Sequence, residues 1–176
     1  MDLTEKTVKK NYLYRGKIVS LRCDDAVLPD GKACKREVVE HSGGACVLCV
    51  KDGNVALVRQ FRYAYGEELL EIPAGKINEG ERPEDCASRE LSEETGLCAE
   101  KLELWHVLYP TPGYDNEKIY IYFARGVTQG AAHLDEGEFL NVVFLPVEEA
   151  MKRIEEDKIR DAKTIVALYR YALTQR

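Results

Sequence analysis

The chain has 176 residues, of which 45% are hydrophobic and 32% charged, and this composition fits one globular domain with a substantial core. Its net charge of -6 excludes the broad basic surface needed to bind duplex nucleic acid or an anionic membrane. A phosphorylated ligand would therefore need cations supplied locally, by a metal ion or by a few arginines.

The N-terminal segment and the cysteines indicate the compartment. The first ten residues lack the apolar stretch of a signal peptide, so we expect a cytoplasmic protein whose six cysteines are reduced. Cys46 and Cys49 have the spacing of half a zinc site, but they lie in an apolar run that predicts a strand. Residues three apart on a strand point to opposite faces, so these two should not bind one ion together.

Apolar and alternating runs predict strands through most of the first half and again after residue 100. In chain order they are Ile18–Leu28, Arg36–His41, Ala45–Val50, Val55–Phe61, Leu69–Ile72, Leu102–Tyr109, Lys118–Ala124 and Phe139–Leu145. Pro29-Asp30-Gly31 and Asp52-Gly53 predict turns, the second of them a hairpin. No repeat or linker is visible, so we predict a single domain over residues 1–176, with N-terminal antiparallel strands in residues 1–42.

Three helices are predicted. One begins at Pro83, which suits a first helical turn, and ends before Gly96, which suits the position just past a helix end. The others cover Val147–Glu156 and Ala162–Leu173. Strands with interspersed helices and no regular alternation predict an α/β (α+β) fold, in which helices cover a mixed sheet.

The first helix carries an unusual set of charges. Glu90, Glu93 and Glu94 fall within an arc of roughly 100° at the edge of the apolar face. Such crowding of like charges is unfavourable, and converging hard oxygen atoms suit Mg²⁺ or Mn²⁺. The helix alone also fits a solvated face with ion pairs from Arg89 to Asp85 and Glu93.

The residues around this helix favour a metal site over a solvated face with ion pairs. Gly75, Glu81, Arg89-Glu90-Leu91, Glu93-Glu94 and Gly96-Leu97 stand at the spacing of the Nudix box, and the chain resembles that family without a mismatch at a defining position. The resemblance implies the Nudix fold, a mixed β-sheet sandwiched between α-helices. It also implies hydrolysis of a nucleoside diphosphate linked to another group.

Further segments resemble the ADP-ribose pyrophosphatase subfamily. They are Val58–Tyr63, Glu71–Gly75, the downstream Pro112 and the acidic segment 135–139. This likeness implies cleavage of ADP-ribose to AMP and ribose 5-phosphate.

The resemblance also implies roles for individual residues in catalysis. Glu90 and Glu94 would bind the metal, with Glu93 and the carbonyl oxygen of Ala74 as further ligands. Glu93 and Arg89 would belong to the catalytic group, and Gly75 and Gly96 would be structural.

Three further acidic residues receive roles in the same way. Glu81 would orient Arg89 or help to hold a second metal ion. Glu136 would position or deprotonate the attacking water and Glu138 would bind metal, although the reverse assignment is also open.

Several residues outside the helix are candidates to bind the substrate. Arg62 is a candidate to grip a phosphate through paired hydrogen bonds, and strand alternation places Arg59 on the other face. Tyr63 is a candidate to stack on the adenine, as are Tyr12, Tyr14 and Tyr65, while Pro112 and Glu71 are assigned to the substrate site by the resemblance. A core-edge ion pair for Arg62 and simple packing for the tyrosines remain alternatives.

Two other functions compete with this interpretation. One is a Nudix enzyme for another substrate, such as a nucleotide sugar, a dinucleoside polyphosphate or an oxidised nucleoside triphosphate. The other is a nucleotide-sensing module without activity. A structural protein with an acidic helix does not account for the box. We expect a small nucleotide ligand, no nucleic acid or membrane partner, and a homodimer in which the N-terminal strands take part.

Overall fold

The computed structural model describes residues 2–131 and 139–175. Contacts within the chain define two compact units: the chain up to Gly43 together with Tyr109–Lys118, and Gly44–Leu108 together with the chain from Ile119 onward. The single domain over residues 1–176 stays a prediction. None of the helices in the described ranges has the length and apolar character needed to cross a bilayer.

The first unit is built on an antiparallel sheet. Its strands are β1 (Lys6–Lys9), β2 (Tyr12–Arg15), β3 (Val19–Val27) and β4 (Ala33–His41). Strand β3 is central, with β4 along one edge and β1 and β2 each paired to part of the other. The turn between β3 and β4 needs Gly31 at a φ of 86°. Strand β4 begins three residues before the predicted run.

The second unit contains two more sheets. Its strands are β5 (Gly44–Leu48), β6 (Val50–Lys51), β7 (Asn54–Arg62), β8 (Glu67–Glu71), β9 (Ala74–Lys76), β10 (Leu97–Leu108), β11 (Ile119–Gln129) and β12 (Leu140–Pro146). One sheet has the order β10-β11-β5-β9, and the other has β12, β6 and β8 all paired to β7. Strands β11 and β5 are parallel and the other pairs antiparallel, which confirms the predicted mixed sheet.

Three helices complete this unit, α1 (Pro83–Thr95), α2 (Val147–Glu155) and α3 (Ala162–Thr174). Helix α1 begins at the predicted proline and ends at Gly96, whose φ of 70° allows its N–H to bind the carbonyl of Ser92. Both predicted ends of α1 are confirmed. Arg82 makes no side-chain cap, as expected from its residue type.

The two faces of β5 bury two different clusters. Val47 packs in a cluster with Leu91 of α1, whereas Cys46 packs in a cluster with Leu168 of α3, and all four side chains are at most 1% exposed. The sheet therefore lies between α1 on one face and α2 and α3 on the other, which confirms the predicted sandwich.

The same alternation separates the two cysteines that have zinc-like spacing. Cys46 belongs to the α3 cluster and Cys49 to the α1 cluster, which confirms that they face opposite sides. Burial raises the pKa of Cys49 to about 11 and that of Cys46 further. Both are neutral core thiols.

Candidate functional site

Helix α1 presents its acidic residues at the edge of its buried face. Glu90 is 8% exposed and Glu94 is 5% exposed, while Glu93 is half-buried. The helix packs against β5, β9 and β10, so its orientation is fixed by the sheet. The helical spacing predicted this placement, because Ala87 and Leu91 on the adjoining stripe are fully buried.

Arg89 is the centre of the acidic cluster. Its Nε donates to Glu81 Oε1 at 2.9 Å, and its Nη1 donates to Glu90 Oε1 at 2.6 Å and to Glu93 Oε2 at 2.9 Å. The Glu81 contact, with Glu93 and Glu90, raises the pKa of Arg89, and Arg89 in turn lowers the pKa of Glu81. The contact is consistent with Glu81 orienting Arg89.

Glycine at position 75 is required by the approach of Glu90. Gly75 lies in β9, opposite Ala45 of β5. A Cβ atom at this position would lie 1.9 Å from Glu90 Oε1, well inside contact distance. The backbone is not in the left-handed region here, so the space that Glu90 occupies, rather than the φ angle, excludes a side chain.

The Ala74 peptide is anchored beside Glu94. The N–H of Ala74 donates to Glu94 Oε2 at 2.9 Å, and the preceding carbonyl, of Pro73, accepts from the N–H of Val47 at 2.9 Å. Strand β9 and helix α1 are therefore joined at the position where a carbonyl ligand was predicted.

The cluster has an excess of negative charge. Among the described residues, the carboxylates of Glu81, Glu90 and Glu93 contact the guanidinium of Arg89, and Glu94 accepts from the Ala74 N–H beside them. Within residues 2–131 and 139–175, no three acidic, histidine or cysteine side chains form a ready-made metal cage. Mg²⁺ commonly binds through one or two carboxylates, with waters and substrate phosphates completing its shell, so this donor set fits a hard divalent cation.

A second charged group is formed by Arg62, Glu71 and Lys163. Arg62 at the end of β7 forms a paired contact with Glu71 of β8, with Nε and Nη2 each 2.6 Å from a carboxylate oxygen. Glu71 is only 1% exposed, and Lys163 of α3 also donates to its Oε2, at 2.5 Å. Burial opposes the charge on Glu71, but Arg62 and Lys163 outweigh it and lower the Glu71 pKa.

The first turn of α3 completes this network. Asp161 caps the helix by accepting from the Thr164 N–H at 3.0 Å, and its other oxygen accepts from Lys163 Nζ at 2.9 Å. The Thr164 hydroxyl also accepts from the Ile72 N–H at 2.8 Å, which ties α3 to the end of β8.

The sequence interpretation missed the residues of this turn, although a signal was present. Asp161 stands at a favourable N-cap position, but Lys163 puts a positive charge in a first helical turn, where the helix dipole disfavours it.

The other predicted substrate residues have surroundings of their own. Arg59 pairs with Glu68 at 3.6 Å with half its side chain exposed, on the face of β7 opposite Arg62, as alternation predicted. Tyr63 is 93% exposed in the β7–β8 turn. Pro112 belongs to the first unit, where it lines a polar pocket of about 310 Å³ with Tyr114.

The two predicted loop carboxylates, Glu136 and Glu138, lie outside the described residues. Their predicted roles therefore stay predictions.

Comparison with known proteins gives concordant results. Residues 33–168 match the model of the NUDIX domain, and residues 5–39 match that of a nucleoside diphosphate sugar hydrolase N-terminal domain. A solved structure described as an ADP compounds hydrolase superposes with a TM-score of 0.85 over 99% of this chain and 97% of that chain; at 23% identity, this likeness shows the fold.

Three relatives are similar over most of their length. An ADP-ribose pyrophosphatase of Bacillus subtilis is 42% identical over 95% of this chain and 92% of that protein. A methanol dehydrogenase activator of Bacillus methanolicus is 40% identical over 93% and 90%. A GDP-mannose pyrophosphatase of Cronobacter sakazakii is 32% identical over 94% and 91%. With the domain match covering most of the chain and a matching fold around the acidic helix, the chain belongs to the Nudix hydrolase family.

Proposed function

We propose that this enzyme uses a divalent metal ion to hydrolyse the pyrophosphate bond of ADP-ribose, releasing AMP and ribose 5-phosphate. The observation that carries the proposal is the excess of carboxylates around Arg89 among the side chains that the structure describes. The Arg62 guanidinium, held by Glu71 at the end of β7, supports it. A cation between such carboxylates and a diphosphate offsets the repulsion that would otherwise keep the two apart.

The metal, Mg²⁺ or Mn²⁺, would be held by Glu90 and Glu94, with Glu93 and the carbonyl oxygen of Ala74 as further donors. When bound, it would neutralise charge on the diphosphate oxygens and make the attacking water more acidic. Arg89 supports this role because it fixes Glu90 and Glu93 in one arrangement before any cation arrives.

The remaining chemistry belongs to side chains of the chain itself. A carboxylate must position the water and accept its proton, and we assign this to Glu136, with Glu138 as a metal ligand. Arg62 would bind a phosphate oxygen through its guanidinium, and Glu71 would act indirectly by holding Arg62. Arg59, Tyr63 and Pro112 remain candidates for contacts with the rest of the substrate.

The relatives support ADP-ribose and also mark the main alternative. The ADP-ribose pyrophosphatase is 42% identical, against 32% for the GDP-mannose pyrophosphatase. The N-terminal match to a nucleoside diphosphate sugar hydrolase model supports a nucleotide sugar as the second candidate substrate.

All six cysteines are unpaired thiols, which supports a reducing, cytoplasmic setting. We further propose a homodimer, in which the N-terminal strands take part.

The test combines a substrate panel with one substitution. ADP-ribose, GDP-mannose and a dinucleoside polyphosphate are each incubated with Mg²⁺ or Mn²⁺, and the products are identified. AMP and ribose 5-phosphate, formed with the highest kcat/KM, support the proposal; faster release of GMP from GDP-mannose would replace it with the nucleotide-sugar reading.

Glu94→Gln should lower kcat for the preferred substrate by at least about 100-fold, because a neutral amide is a poor ligand for a hard cation. Its melting temperature should stay close to that of the wild type. Glu84→Gln is the matched control, since Glu84 is exposed in the first turn of the same helix and should leave kcat unchanged. Full activity of Glu94→Gln would overturn the metal assignment.

A further inference from the structure

The start of α3 holds a buried lysine that the proposed chemistry does not use. Lys163 is 7% exposed, and its ammonium group donates to Glu71 at 2.5 Å and to Asp161 at 2.9 Å. The Glu71 carboxylate is in turn the partner of Arg62. Lys163 and Arg62 thus meet on one carboxylate, which is buried at the end of β8.

This shared carboxylate fixes the orientation of the Arg62 guanidinium. Glu71 Oε2 accepts from both Lys163 Nζ and Arg62 Nη2, while Oε1 accepts from Arg62 Nε. A terminal carboxylate rotates freely about its last bond unless something holds one oxygen. Because Lys163 holds Oε2, the carboxylate plane is fixed. The paired contact with Glu71 then keeps the Arg62 guanidinium in the same plane.

The guanidinium fixed in this way lies within electrostatic range of the acidic helix. Glu71 raises the Arg62 pKa most, and the charges of Asp161 and Glu94 add smaller effects in the same direction. In the part of the chain that the structure describes, Arg62 uses Nε and Nη2 for Glu71, and Nη1 has no hydrogen-bond partner. Its side chain is 39% exposed, so Nη1 can reach a phosphate oxygen from solvent.

The arrangement is costly if its only purpose is stability. Taking charged groups out of water carries a large penalty, and well-packed apolar residues commonly do as well in such positions. Lys163 also lies at the positive end of the α3 dipole. A precisely oriented guanidinium is a gain that apolar packing cannot supply.

We propose that Lys163 is a positioning residue for the diphosphate: through Glu71 it holds Arg62 in the orientation from which Nη1 binds a phosphate oxygen. The proposal rests on the proposed hydrolysis of a nucleoside diphosphate derivative. It assigns a role in substrate binding to the first turn of α3, which is distant in sequence from the acidic helix.

The experiment compares Lys163→Met with Lys158→Met at neutral pH, on the substrate that the wild type prefers. Lys163→Met should raise KM about tenfold, because an unheld guanidinium binds the phosphate less often in the right orientation. Lys158 is an exposed lysine paired with Glu156, and its substitution should leave KM unchanged. A purely structural lysine would lower the folded fraction, and hence the apparent kcat, at constant KM.

A double-mutant cycle identifies the path of the effect. Arg62→Ala should raise KM by about 10- to 100-fold, and adding Lys163→Met to it should change KM no further, since the group that Lys163 positions is gone. If Lys163→Met does not fold, Lys163→Leu, which also lacks a donor for Glu71, replaces it in the same cycle. An unchanged KM in the single variant, or the same increase in both backgrounds, overturns the positioning role.

Failure of the proposed function looks different. If hydrolysis of nucleoside diphosphate derivatives is the wrong function, the wild type itself hydrolyses none of the nucleotides, whereas a preference for GDP-mannose changes only the substrate on which Lys163→Met is measured. A wild type that is active, with KM insensitive to Lys163, refutes only the positioning role.

Discussion

Replacing Gly75 by alanine tests whether the position of Glu90 is essential. An added Cβ would lie 1.9 Å from Glu90 Oε1 and 2.0 Å from its carboxyl carbon, whereas ordinary contact begins at 3.4 Å. The carboxylate must therefore retreat by about 1.5 Å. That movement breaks its 2.6 Å contact with Arg89 and displaces a proposed metal ligand.

Gly75→Ala should lower catalytic activity much more than it lowers the free energy of unfolding. The clashing atoms are the end of a flexible side chain, so the backbone need not move, and the free energy of unfolding should fall by only about 1 kcal/mol. A displacement of this size at a reacting centre costs on the order of 100-fold in rate. We therefore expect Gly75→Ala to lower kcat/KM about 100-fold and Mn²⁺ affinity about tenfold.

The assay measures kcat/KM, Mn²⁺ binding by titration, and chemical denaturation on the same preparations. Gly53→Ala is the control, since Gly53 has a φ of 76° in the β6–β7 hairpin and no atom within 4 Å of an added Cβ. It should lose about 1 kcal/mol through backbone strain and keep full activity. Wild-type Mn²⁺ affinity and kcat/KM in Gly75→Ala would refute the role of Glu90.

Two further predictions concern the other carboxylates. Glu136→Gln should lower kcat with little change in Mn²⁺ affinity; if Mn²⁺ binding weakens instead, as a titration would reveal, the roles of Glu136 and Glu138 must be exchanged. Glu71→Gln should destabilise the protein by about 3 kcal/mol at neutral pH, because it leaves Lys163 and Arg62 without their partner. The folded pKa of Glu71 lies below its usual 4.5, so its contribution is complete above about pH 5 and is lost as pH falls through the lowered value. Urea unfolding from pH 3 to 7 should therefore show the gap between wild type and Glu71→Gln narrowing only on the acid side, and a constant gap would contradict the depressed pKa.

The contacts of Arg89 could not be predicted from residue spacing alone. Helical periodicity places Glu90, Glu93 and Glu94 on one edge, but it does not say whether they bind each other, solvent or a cation. The structure adds that one guanidinium bridges Glu81, Glu90 and Glu93. Of the side chains in the described ranges, three carboxylates share this one guanidinium, and that excess of negative charge supports the metal proposal.

Sequence rules of short range were enough to predict the ends of the acidic helix and the mixed sheet. Proline at position 83 and glycine at position 96 fix the ends of α1 through backbone constraints that act locally. Alternation through β5 and the residue that follows it predicted the opposite faces of Cys46 and Cys49, since a strand's period of two does not depend on its neighbours.

Which distant groups meet depends on how the helices pack against the sheets. Lys163 and Glu71 are 92 residues apart, and their contact exists because α3 packs on the sheet with its first turn at the end of β8. The need for glycine at position 75 likewise follows from the approach of Glu90, fifteen residues later, and not from its own φ angle. Local rules act over a few residues, whereas these contacts are set by how the helices dock. The sequence therefore predicted the acidic helix but not the buried lysine that we propose to position Arg62.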